Sequence, residues 1–308
     1  MKKSRIFRLA ALLTAAALLC GCASGQPANQ TDQKKGSYQV PEFRANEFHE
    51  DQAVDSGAVQ ADLSQLKQGI VGVRASGSTR LKFQISCGEE KYSYDLPGDG
   101  TTVFFPLNMG DGSYTFRLME QVEDTKYTCS WTETREVTLG DEFQPFLRAS
   151  QIVSYTQDSK CVEKAKEMAA DCATDSDLAS AVYQFLVEEI EYDQEKAKSV
   201  EGGYLPNPDE TLASGKGICF DYASLAAAML RSMGIPCKVI TGYVNESTYH
   251  AWNSFYLENQ GWITAEIQVN AKQWQRVDIT FAAGGMSEKQ LEENQYTTRY
   301  VYKGGKHG

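Results

Sequence analysis

The sequence predicts an α+β protein: an antiparallel, sandwich-like β region followed by a domain of helices packed on an antiparallel sheet. Three observations carry this. Residues from about 57 to 148 fall into short alternating runs broken by turns, the period of half-buried strands. Beyond residue 157 the apolar period becomes helical, in "KCVEKAKEMAADC" and "DSDLASAVYQFLVEEIEYD". A further helix-like run, apolar almost all round, then leads into four strand-like runs, as expected of a helix buried against a sheet. A chain of 308 residues with 42% hydrophobic and 23% charged residues has enough apolar material for such cores.

The elements follow in order. "MKKSRIFR" is basic and "LAALLTAAALL" is apolar but short for a membrane span, so residues 1–21 read as a signal peptide. The next residues, "LCGC", resemble a bacterial lipobox through Leu19, Gly21 and Cys22, with Cys20 an uncommon middle residue. The resemblance implies lipidation of Cys22 and attachment to the outer face of the bacterial cell membrane without a spanning helix. The plainer alternative is an ordinary secretory signal with two incidental cysteines; either reading exports the chain. The formal net charge is −11, and residues 1–21 hold four of the basic residues and no acidic one, so cleavage leaves −15. Such an acidic surface argues against nucleic acid as a partner.

Residues 22–56 lack periodicity and are rich in Gln, Asn, Ser and charge, the composition of a flexible tether. Within 57–148, "RLKFQISCGEEKYSYDLP" predicts two strands, "TTVFFPL" a third, and "GSYTFRLMEQVEDTKYTCSWTETREVTL" a pair turning near "VEDT". This pattern suits a sandwich of immunoglobulin type, with Tyr114, Phe116, Tyr127 and Trp131 expected in its core rather than on a ligand surface. Residues 149–290 form the second domain. Its second helix places Leu178, Ala181, Val182, Phe185, Leu186 and Ile190 on one face. "GGYLPNPDETLASGKG" reads as a long loop, the Cys219 helix ends at Gly234, and "CKVITGYV", "HAWNSFYL", "WITAEIQ" and "RVDITF" read as strands. Residues 291–308 form a polar tail.

Eight cysteines are present, and six remain once Cys20 is removed and Cys22 lipidated. Export permits disulfides, of which Cys87–Cys129 is conceivable within the β region. Outside the signal there is no CxxC or clustered Cys/His spacing, so no metal site is expected.

Cys219 is the residue of chemical interest. Alone it reads as a small apolar residue opening a buried helix. Yet a helix N-terminus favours a thiolate and supplies N–H groups for an oxyanion. Asp221 in the first turn opposes that thiolate and reads as a helix-start residue. Cysteine catalysis also needs a base and a group to orient it. Of three histidines, His49 lies in the tether stretch and His307 is penultimate, leaving His250. Asp278, an acid in an apolar strand-like run, is the candidate orienting group.

"GICFDYASLAAAMLRSMGIPCKVITGY", "HAWNSFYL…GWITAEI" and "WQRVDITF" together resemble the transglutaminase-like core of the papain-like cysteine enzymes over roughly residues 157–285. Cys219, His250 and Asp278 occur in the family's order, 31 and 28 residues apart. The resemblance implies a papain-like fold with Cys219 as nucleophile, His250 as general base and then acid, and Asp278 as orienting carboxylate. The implied activity is acyl transfer at peptide amides through a thioester, ending in hydrolysis (peptidase or amidase) or transamidation. Ser254 stands where the family often has an acid, and "DIT" replaces the commoner Asp-Pro-Thr or Asp-Val-Thr. The family draws its second oxyanion donor from a side chain upstream of the cysteine, for which Tyr204 and Asn207 are candidates. Trp252 is placed either to shield the site or to fill the core. No cofactor is implied, and the expected partner is a peptide or protein substrate, cell-wall peptides among them. The alternative is a catalytically silent binding or scaffold module at the cell surface.

Overall fold

Alternation in the N-terminal half is realised as eight strands: β1 (Ala53–Asp55), β2 (Val59–Asp62), β3 (Ile70–Ala75), β4 (Leu81–Cys87), β5 (Glu90–Leu96), β6 (Val103–Pro106), β7 (Gly112–Glu123) and β8 (Lys126–Val137). The computed structural model describes residues 36–244, 248–265 and 296–297. Two four-stranded antiparallel sheets result, ordered β1-β2-β3-β6 and β5-β4-β7-β8. Every second residue turns inward, so Phe83, Ile85, Tyr92, Tyr94, Phe116 and Leu118 are buried against Val59, Val71, Val73 and Phe105 of the other sheet. The stacked rings of Phe83 and Phe105, 5.2 Å apart, join the two layers. Tyr114 and Phe116 lie in this core as expected. Tyr127 and Trp131 are half-buried on the edge strand β8, with the Lys82 ammonium 4.9 Å from the Tyr127 ring. Cys87 and Cys129 carry free thiols on β4 and β8, with β7 between them.

The second domain comprises α1 (Lys160–Ala169), α2 (Asp175–Glu189), β9 (Glu191–Tyr192), α3 (Gln194–Ser199), α4 (Pro208–Ser214), β10 (Lys216–Gly217), α5 (Cys219–Ser232), β11 (Cys237–Val244), β12 (Thr248–Leu257), β13 (Gly261–Ala265) and β14 (Tyr296–Thr297). The sheet is antiparallel in the order β13-β12-β11-β14. Helix α5 is its centre, buried at every residue from Asp221 to Ser232. Leu178, Val182 and Leu186 of α2 pack in the same core, with Phe255 and Ile263 from the sheet. Two buried polar side chains fix α5. Arg231 donates to Cys237 O and Arg148 O, each at 2.8 Å, and Asn253 Nδ2 donates to Ala223 O at 2.9 Å and Lys238 O at 3.2 Å. At the helix end Gly234, at φ +84°, is held where a Cβ would meet Pro41 Cγ at 2.8 Å.

Three stretches differ from the sequence reading. Residues 36–52, expected within the tether, are packed. Tyr38 N–H donates to Cys172 O at 3.0 Å, Asn46 Nδ2 donates to Ala149 O at 2.9 Å, and the Phe43 ring meets Tyr155 edge-on at 5.9 Å. Backbone hydrogen bonds and two aromatics outweigh the polar composition there. The stretch read as a Gly/Pro loop contains α4, whose Asn207 cap accepts from the N–H groups of Asp209 (3.1 Å) and Glu210 (3.3 Å) ahead of Pro208. Tyr296–Thr297, expected in the polar tail, pairs with β11. The run "RVDITF" lies outside the described residues.

Candidate active site

The turn "GKG" aims the helix that starts at Cys219. Gly215 caps α4 in the left-handed region at φ +62°. Lys216 and Gly217 then pair in parallel with Glu191 and Tyr192 of β9. Gly217 has no room for a side chain, since a Cβ would lie 2.7 Å from the Asp221 Cβ and 3.1 Å from Thr211 Cγ2. Ile218 is extended, and α5 starts at Cys219. The expected place of Cys219, at the open end of a buried helix, is what the fold produces.

Cys219 is half-buried beside β12. Burial pushes its thiol above the ordinary value of 9.0, while N–H hydrogen bonds from Ala251, Phe220 and Cys219 itself pull it down; Asp221 adds to the rise. Its sulfur therefore faces two N–H groups of the first turn and one from β12. Ala251 directly follows His250, which pairs with Gly242 of β11. Burial lowers His250 below the ordinary 6.5, so its imidazole is neutral at pH 7. The fold thus places a protonated thiol at the start of α5 and a neutral imidazole on the neighbouring strand β12.

The structure brings Cys219 to the strand of His250; Asp278 and Cys22 lie outside the described residues. Trp252 is buried, its ring 6.3 Å from that of His250 and nearly parallel to it. The upstream candidates have other engagements. Asn207 caps α4 and donates to Glu210 Oε1 at 3.1 Å. The Tyr204 hydroxyl donates to Asp221 Oδ1 at 2.6 Å. Asp221 itself, read as a helix-start residue, accepts the Ile218 N–H at 2.8 Å and the Lys196 ammonium at 2.7 Å. Sequence reasoning missed Lys196, which sits on a short charged helix like any solvated lysine. It also missed the Ala251 N–H, a backbone donor that no residue type signals. His49 lies 3.0 Å from Asp62 Oδ2 and 3.1 Å from Ser64 Oγ, but through the same nitrogen, Nδ1. A serine-based relay needs one partner on each ring nitrogen, so this trio is not one.

The core thus has a buried helix that begins at a cysteine and packs against an antiparallel strand that carries a histidine. Residues 162–267 match the transglutaminase-like superfamily; the C-terminal domain is a transglutaminase-like core. Kyphoscoliosis peptidase of mouse is 27% identical over 147 residues, covering 44% of this chain and 20% of that protein. The human protein of the same name is 25% identical over 169 residues, covering 50% and 23% respectively. The chain thus spans about a fifth of the length of these curated relatives. Red sea bream transglutaminase superposes with a TM-score of 0.27 at 12% identity, over 64% of this chain and 47% of that one; at that score the superposition carries no weight.

Proposed function

We propose that this protein is an exported cysteine acyl-transfer enzyme, lipid-anchored through Cys22, that acts on peptide amides by a Cys219–His250–Asp278 triad. The observation that carries the reading is the position of the Cys219 sulfur, at the open N-terminus of α5 with the Ala251 N–H directed at it. As Cys219 Sγ attacks the amide carbonyl, His250 takes the thiol proton. The first-turn N–H groups face the developing oxyanion. His250 then gives the proton to the departing amine, leaving a thioester on Cys219. Attack by water releases an acid and frees the thiol; attack by an amine releases a new amide. Asp278 orients the imidazole for both proton transfers. The peptidase name of the matched relatives favours the water branch.

The test is product mass spectrometry after incubating the full-length protein with peptidoglycan peptides, with and without a primary amine. Peptide cleavage or loss of ammonia supports hydrolysis, and a mass gain equal to the amine supports transamidation. Both must vanish in Cys219→Ala. If neither product forms and a thiol probe labels Cys219 no faster than Cys129, the chain is instead a silent transglutaminase-like module.

A further inference from the structure

Asp221 poses a problem for a nucleophile two residues away. It is fully buried, and its charge opposes the Cys219 thiolate. The structure supplies the counterweight. Lys196 Nζ lies 2.7 Å from Asp221 Oδ2 and donates to the Tyr204 hydroxyl at 2.6 Å, while Tyr204 donates to Asp221 Oδ1 at 2.6 Å. The ammonium also sits 4.4 Å from the Tyr204 ring centroid. Burial works to lower the Lys196 ammonium, but its bonds to Asp221 and Tyr204 overcome this and raise it, so it stays charged. Asp221 in turn accepts the Ile218 N–H at 2.8 Å, fixing the backbone that enters Cys219.

Both partners of Asp221 are themselves held. Asp193 Oδ1 caps α3 by accepting the Lys196 N–H at 2.8 Å. Gly203, at φ +90° before Tyr204, abuts the sandwich, where a Cβ would lie 3.3 Å from Asp95 Oδ2 and 3.6 Å from Arg80 Nη2. Arg80 and Asp95 form a two-pronged pair at 3.0 and 2.8 Å, a geometry of low freedom.

We propose that Lys196 is the positioning residue of this site: with Tyr204 it clamps Asp221 under the first turn of α5 and offsets the negative charge beside the nucleophile. The inference rests on Cys219 being that nucleophile. Among the described residues the titratable groups around Cys219 are Asp221 on its own helix, Tyr192 on β9, and His250, which immediately precedes Ala251 on β12. Lys196 is the cation bonded into this set.

The test is the pH dependence of Cys219 alkylation by iodoacetamide in the full-length protein, followed by peptide mass spectrometry. Lys196→Met leaves Asp221 without its counter-charge, so the thiol titrates at higher pH and alkylation at pH 7 falls by roughly three- to tenfold. Lys196→Arg restores most of the rate. Asp221→Asn keeps an acceptor for the Ile218 N–H but removes the charge, so the titration moves to lower pH. Opposite shifts are the signature, because mere loosening of the turn moves both variants alike. Shifts in the same direction, or none, overturn the proposal. Should Lys196→Met lack a cooperative melt, Asp221→Asn decides: no downward shift overturns it. His250→Ala reads the underlying assignment separately. If it leaves Cys219 alkylation unchanged, the acyl-transfer reading itself fails; if it moves the profile while Lys196→Met does not, only the role of Lys196 falls.

Discussion

At Cys219 burial and Asp221 favour the thiol, while three N–H groups favour the thiolate. The balance lies on the thiol side, so in the proposed mechanism His250 must be neutral to take the proton. Because burial holds His250 below 6.5, protonation disables it only at lower pH. The acid limb of kcat/KM is therefore expected to have its midpoint below 6.5, measured as initial rate against pH on a cleavable peptide; a midpoint above 6.5 contradicts this. With His250 as the proposed acceptor, His250→Ala is expected to lower iodoacetamide alkylation of Cys219 at pH 7 relative to the wild type, and an equal rate contradicts that role. The places of Cys219 at a helix start and of His250 on a strand were legible in the sequence, because both are local features. Lys196 was not, since its partner is 25 residues away and only the tertiary fold joins them.

Helix α5 shows how one element sets a site. Its buried face leaves no slack, so the side chains that tie it to the sheet control where its first residue sits. Asn253, three residues beyond His250, is buried and bridges Ala223 O and Lys238 O. Asn253→Ala is expected to cost about 1–3 kcal/mol, seen as a lower urea midpoint, and to reduce kcat more than it raises KM. An unchanged midpoint would mean that the strands alone hold the helix. Strands β11 and β12 of this sheet were legible at nearly their true limits: "CKVITGYV" is β11, and "HAWNSFYL" ends with β12 at Leu257. Helix α4 was not, because glycines and prolines around it read as a loop, although Asn207 before Pro208 is a start signal.

The whole molecule is joined by segments whose composition conceals their packing. Residues 36–52 lie against the helical domain through Tyr38 and Phe43 and against the sandwich through His49. Phe43→Ala removes a half-buried ring from the Tyr155 contact and is expected to cost about 2 kcal/mol, read as a lower Tm and faster proteolysis within residues 36–52. Unaltered protease resistance would show that the ring is dispensable. Sequence patterning cannot display such packing, because a short non-periodic stretch docks by isolated aromatics and backbone bonds rather than by a repeating face. The order of a strand-rich region followed by helices and a second sheet was legible, because strand and helix periods change near residue 157.

The docking of Tyr38 sets a working radius. With Cys22 lipidated as proposed, residues 23–37 are all that separate the lipid from the first pinned side chain, and fully extended they span at most about 55 Å. A free chain from Cys22 to residue 57 would allow about 120 Å. The short leash would confine cleavage to a shallow layer above the bilayer, so membrane-proximal substrates would be taken and distant wall layers left untouched.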